Sequence, residues 1–263
     1  MISSKDKKNK IKVIDKAFKL IEIVANNKEG LRLKTIANSM SCSDSSIHHL
    51  ISTLVENDII TKNPINNRYC LGVRILELGN KYLSGLPFYD IASKYLEELH
   101  EEFNESIYLL NFEGTRIVLL EEFSSSKMLK SYISIKINEA HATACGKILL
   151  SEFILTQLEE HIKKNGLTKF TNNTITNKDQ LLKELQNVKN QGYSFDNEEL
   201  EDNLICIGAP IYNFKNKLIS AIIIALPKNR LDMQKKEKII SALKNSTKII
   251  SEQLGYKANK SIV

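Results

Sequence analysis

Three short stretches hold the residues whose types and spacing could do chemistry. In HATACGKILL, residues 141–150, His141 and Cys145 are the components of a thiol–imidazole nucleophile. They stand across a helix start with no third group to orient the imidazole, so covalent catalysis is the weaker reading. Thr143, Ala144, Cys145 and Gly146 offer something else. Small side chains lead into an apolar helix, where free backbone N–H groups and the helix dipole suit an anion such as a carboxylate. Tight packing of that helix start on a neighbouring layer fits the same residues equally well.

The second stretch is GYSFDNEELEDNLICIGAPI, residues 192–211. Asp196 at a strand end could accept a hydrogen bond from a ligand hydroxyl or order a loop. Glu198, Glu199 and Glu201 read as a solvated face. Cys206, inside an apolar run, reads as a small buried residue that could line a pocket. Zinc held by His141, Cys206 and a carboxylate such as Glu199 would need ligands scattered along the chain without motif spacing, so no metal and no cofactor is expected.

The third stretch is DSSIHHLISTLVE, residues 44–56. Ile47, Leu50, Ile51, Leu54 and Val55 follow the spacing of one helical stripe facing a core. The opposite face carries Ser45, Ser46, His48, His49, Ser52 and Thr53, without Lys or Arg. Short hydrogen-bonding groups and imidazoles in place of the usual Lys–Glu mixture suit contact with a polar surface.

These residues need elements to position them. Apolar periodicity predicts helices over 13–26, about 33–40 and 44–56, with Gly30 available as a left-handed cap for the first and Ser43 or Asp44 capping the third. IITK and RYCLG then form two short strands around NPINN, a turn by its Pro64 and paired Asn residues. Three small helices and a β-hairpin make a winged helix-turn-helix, in which the third helix enters the major groove of DNA. Residues 73–86 form an amphipathic linker helix, and Pro87 opens a second domain. There, a helix over 88–104 precedes strands SIYLLNF, RIVLLEEF and KSYISI. Helices follow from 143, near 155–164 and near 178–191. Strands near 193–196, 204–213 and 217–226 and a helix over 232–254 end the pattern, an α+β domain with a mainly antiparallel sheet.

The chain has 263 residues, room for two ordinary domains. Its net charge of +6 is unevenly spread, since residues 1–19 hold seven Lys against Asp6 and Asp15. This basic N-terminal arm, residues 1–12, suits phosphate contact. No apolar run reaches the ~20 residues of a bilayer span and no signal-peptide core is present, so a cytoplasmic location without membrane contact is expected. The four cysteines form no C-x-x-C pair.

From about Val13 to Arg230 the chain resembles the IclR-type transcriptional regulators. The resemblance rests on AFKLIEIVANNKEGLRLKTIANSM, SSIHHLISTLVENDII and RYCLGVRILELG in the first domain. In the second it rests on HATACGK, GLTKFTNNTIT, GYSFDNEE and CIGAPI. It implies a dimerising winged helix-turn-helix over 13–72, the linker helix over 73–86, and a GAF/PAS-like effector-binding and oligomerisation domain over 87–263. The partners implied are double-stranded operator DNA, a small organic effector, often an acid, and further copies in a homodimer or homotetramer, with repression as one mode of action. Asp44, Ser45, Ser46, His48, His49 and Ser52 would face the major groove, with Arg32, Lys34, Thr35 and Arg68 on phosphate. An effector carboxylate would meet Thr143, Ala144, Cys145 and Gly146, with Asp196 and Cys206 bordering the pocket. Ile223 and Ala225 stand where many relatives carry pocket serines, His49 stands where an Arg is common, and SIKINEAH replaces a segment usually holding Gly and Pro. The two hydroxyls lost point to a less polar effector or to a regulator-like DNA binder with none. An enzyme that processes a small acid is the remaining alternative.

Overall fold

The computed structural model describes residues 11–257, which fall into two compact units divided between Gly85 and Leu86. Most of the basic arm, residues 1–10, lies outside the described residues.

In the first unit, α1 (Lys12–Ala25), α2 (Leu33–Met40) and α3 (Asp44–Glu56) enclose a core of Leu20, Val24, Ile36, Ala37, Ile47 and Ile51. Strands β1 (Ile60–Lys62) and β2 (Tyr69–Leu71) form an antiparallel hairpin whose Ile60 and Tyr69 close that core. Ser43 is the N-cap of α3, its side chain accepting from the Ser46 N–H. Gly30 is not the cap of α1. That helix ends at Asn26 in right-handed geometry, and Gly30, at φ +72°, lies against the hairpin, where a Cβ would come within 2.5 Å of Cys70 Sγ and 2.9 Å of the Tyr69 carbonyl. Paired backbone bonds join Leu31 and Tyr69 beside it. Helix α4 (Val73–Ser84) ends this unit, and none of its residues is buried by the rest of the described chain.

The second unit is built on a five-stranded sheet with every pairing antiparallel. Its strands are β3 (Ser106–Glu113), β4 (Arg116–Phe123), β5 (Ser194–Asn197), β6 (Leu204–Tyr212) and β7 (Leu218–Pro227), in the order β4-β3-β7-β6-β5. The alternation of side chains along a strand divides two cores. Ile107, Leu109, Ile222 and Ile224 pack with α5 (Tyr89–Phe103) and α9 (Met233–Gln253), while Tyr108, Leu110, Ala221 and Ile223 pack with α6 (Ala144–Ser151). Helices α7 (Leu155–Asn165) and α8 (Lys178–Gln191) complete the α6 side around Leu150, Leu158, Leu181 and Leu185.

The strand expected at 130–135 does not form. The Tyr108 hydroxyl donates to the Ser131 carbonyl at 2.6 Å, and Ile133 packs on the α6-side core. The segment therefore crosses a face of the sheet instead of extending its edge, and Ile133 serves as a cover.

Candidate nucleic-acid interface and ligand cavity

Helix α3 separates its two faces as the spacing requires. Ile47 and Ile51 are buried, Ser45, Ser46, His48 and His49 are exposed, and Ser52 is half-buried. The hydroxyls of Ser45 and Ser46 lie within 3.2 Å and 3.0 Å of the capping Ser43 hydroxyl, which orders the start of the helix. Asp44, Arg32, Lys34 and Thr35 are exposed around it. Arg68, on the hairpin, is partly exposed and also makes contacts within the unit. Its Nη1 donates to the Gly30 carbonyl at 3.2 Å and lies 3.4 Å from Glu29, so this guanidinium ties the hairpin to the loop after α1.

In the second unit, six of the eight residues expected to meet a ligand line one cavity: Thr143, Ala144, Cys145, Asp196, Cys206 and Ile223. Ile133, Ser134, Leu200 and Leu204 close it. Gly146 and Ala225 are not among the lining residues. Gly146 faces a 3₁₀ turn (Ile137–Ala142) instead, and a Cβ there would fall 2.2 Å from the Ala140 carbonyl oxygen and 2.3 Å from its Cα. The small residue at 146 is explained by packing, whereas the small residues at 143–145 are at the cavity wall. Thr143 caps α6, its Oγ1 accepting from the Gly146 N–H at 3.1 Å, so one of the N–H groups expected to greet an anion is already engaged.

The cavity is nearly closed. Its volume is about 10 Å³, room for about one water molecule. Ile223 is one of its walls. Across the sheet from it, Gly208 is so close that a Cβ would lie 2.2 Å from Ile223 Cδ1.

The ionisable groups at this wall are displaced by burial. Asp196, 1% exposed, has its carboxyl pushed up to about 7, chiefly by desolvation, against the hydrogen bond that its Oδ1 accepts from the Glu199 N–H at 2.8 Å. Burial raises the Cys145 thiol to about 11 and pushes Cys206 well above the ordinary thiol range. Cys145 Sγ donates to the Ser134 carbonyl at 3.4 Å. His141 is fully buried, its Nε2 lies 2.9 Å from the Thr168 carbonyl, and desolvation lowers its pKa. Thiol and imidazole thus serve separate hydrogen bonds. No group of three or more His, Cys, Asp or Glu side chains suited to a metal occurs among the described residues.

The solvated reading of the acidic cluster holds only for Glu201. Glu198 pairs with Lys228, and Glu199 is buried against Lys147. Lys147 is the residue that sequence reasoning passed over. Fully buried, its Nζ lies 2.5 Å from Glu199 Oε1, 3.1 Å from Glu184 Oε1 and 2.5 Å from the Phe195 carbonyl. The signal was present: a lysine inside the apolar run ACGKILL requires a buried acceptor.

Comparison with known proteins follows the same division. Residues 13–64 match the IclR helix-turn-helix domain and residues 80–252 match the family described as bacterial transcriptional regulator IclR C-terminal. The chain is 26% identical to the HTH-type transcriptional regulator XynR of Escherichia coli, over 94% of this chain and 99% of that one. The crystal structure of the Thermotoga maritima IclR superposes with a TM-score of 0.77 at 25% identity, over 94% of this chain and all (100%) of that one. An IclR homologue from Microbacterium hydrocarbonoxydans, crystallised with 4-hydroxybenzoate, shares the fold with a TM-score of 0.79 at 20% identity, over 92% of this chain and 98% of its own. With both units matched, the chain belongs to the IclR family of bacterial transcriptional regulators.

Proposed function

We propose that the first unit reads duplex operator DNA through the exposed face of α3, with Ser45, Ser46, His48, His49 and Ser52 toward base edges and Asp44 at the helix start. Arg32, Lys34 and Thr35 hold phosphate, joined by the basic arm, while Arg68 acts mainly by fixing the hairpin. The single observation that carries this reading is the division of α3 into a buried apolar side and an exposed side of short hydrogen-bonding groups. The protein works in the cytoplasm as a homodimer or homotetramer. Ile11, Ile14 and Phe18 along α1, with Val73 and Leu76 on α4, are exposed apolar side chains at helical spacing that a second copy would cover.

The second unit senses a small organic molecule at the wall formed by Thr143, Ala144, Cys145, Asp196, Cys206 and Ile223. A cavity of about 10 Å³ takes no metabolite as it stands, so binding requires the cover at Ile133 and Ser134, or Leu200, to move. The same observation favours a second reading, a DNA binder that responds to no effector. Enzymatic turnover is the poorest fit, because the Cys145 thiol is raised to about 11 and hydrogen-bonded to a carbonyl, the opposite of an activated nucleophile.

Genomic DNA fragments selected by the purified protein, measured by fluorescence anisotropy against random competitor duplex, test the first part. One duplex is expected to be preferred, and His49→Ala to weaken it by roughly 1 kcal/mol or more. Equal binding of every duplex would sink the reading. Thermal shift with a panel of small carboxylates, 4-hydroxybenzoate included, separates the two readings of the second unit. A shift lost in Asp196→Asn supports sensing, and a flat response across the panel supports the effector-free binder.

A further inference from the structure

A second concavity, sharing no lining residue with the α6 cavity, opens beside β5 and α8. It is a groove of about 450 Å³, within the ~300–1,000 Å³ range of small-molecule clefts. Four carboxamides converge on it: Asn173, Asn187, Gln191 and Asn197. Two of them are already oriented, since Asn173 Nδ2 donates to the Asn197 carbonyl and Gln191 Nε2 to the Tyr193 carbonyl, which leaves their amide oxygens as acceptors. Tyr193 and Phe195 supply aromatic wall.

Glu199 reaches this groove from within the protein. It is 6% exposed, its Oε1 is taken by Lys147, and its Oε2 is buried with no hydrogen-bond partner among the described residues. A carboxylate oxygen in that state calls for a donor, because a buried acceptor left unsatisfied loses its hydration without replacement. The charges nearby cancel. Glu184 and Glu199 are set against Lys147 beneath them and Lys236, whose Nζ lies 3.8 Å from the Phe195 ring centroid. Local neutrality favours neither a strong anion nor a cation. Amide groups that both donate and accept, a buried acceptor and an aromatic face together match a ring or chain of hydroxyls with an apolar C–H side.

We propose that this groove is a second ligand site, taking a neutral polyhydroxylated molecule of the monosaccharide or alditol class. It stands independently of the sensing role given to the α6 cavity. It also touches that cavity's wall, because Glu199 donates its N–H to Asp196 and holds Lys147 of α6.

Saturation-transfer difference NMR on the full chain tests this, with D-xylose, D-glucose and xylitol as probes and putrescine and acetate as charged controls. Transfer to the C–H protons of at least one polyol is expected. It should weaken at least tenfold in apparent affinity in Asn187→Trp, which fills the groove from an exposed helix position. It should persist in Cys206→Ser, which alters the cavity alone. Should Asn187→Trp lower the melting temperature, Asn187→Ala is read in its place, with the same direction expected. Absence of transfer from every polyol, transfer from a charged control instead, insensitivity to Asn187 substitution, or loss in Cys206→Ser would each overturn the proposal.

Discussion

Lys147 is the residue on which most of the buried polar chemistry converges. Its ammonium meets two carboxylates and a carbonyl in a place without water access. Removing one partner of such a pair leaves the other charged and buried, so Lys147→Met is expected to cost about 3–5 kcal/mol in a urea titration. Adding Glu199→Gln should recover part of that loss. An unaltered midpoint in the single variant would mean that the pair contributes nothing. Asp196 makes a separate prediction. A carboxyl raised from 3.8 to about 7 binds its proton more tightly in the folded state than in the unfolded one. Its contribution to stability is therefore greatest at low pH, falls as pH climbs from about 4 to about 7, and is level above that. The buried imidazoles His141 and His161, both lowered by desolvation, act in the opposite direction as pH falls. The difference between wild type and Asp196→Asn isolates the carboxylate. The variant is expected to gain about 2–4 kcal/mol relative to wild type between pH 5 and pH 8. Parallel melting curves across that range would contradict it.

Among the elements, α6 and the 3₁₀ turn before it show how close packing and a cavity wall share one helix start. Gly146→Ala would force a methyl onto the backbone of Ala140, which cannot rotate away as a side chain could. A loss of about 1–3 kcal/mol is expected, read as a lower melting temperature. DNA binding at low temperature should survive. A stable Gly146→Ala protein would mean that the turn yields. The elements themselves were largely legible. The stripe in residues 44–56 identified α3, NPINN identified the hairpin turn, and short apolar segments identified five strands, because each signal is local. KSYISI misled because alternation reports a two-sided environment, and Ser131, held by Tyr108, and Ile133 find theirs by crossing the sheet rather than joining it. The Lys147–Glu199 pair spans 52 residues and could not be read from either segment alone. The small cavity volume was equally hidden, since its wall is assembled from segments as far apart as Ile133, Cys145, Asp196 and Ile223.

At the scale of the whole molecule, exposed apolar side chains on α1 and α4 predict assembly. Phe18, 64% exposed, sits one helical turn from Ile14. Phe18→Asp is expected to shift the protein toward monomer in sedimentation velocity and to weaken operator binding at least tenfold, without lowering helix content. An unchanged mass would remove α1 from the interface. The contacts of the hairpin carry a further consequence. Gly30 lies hard against Cys70 and Tyr69, Leu31 and Tyr69 exchange backbone bonds, Arg68 grips the Gly30 carbonyl, and Gly72 has no space for a Cβ beside the Asp58 carbonyl. Stitched at both ends, the DNA-reading head has no internal joint. In the assembly we propose, a message from elsewhere would transport this head whole, altering the separation between two heads on the duplex and leaving the shape of each unchanged.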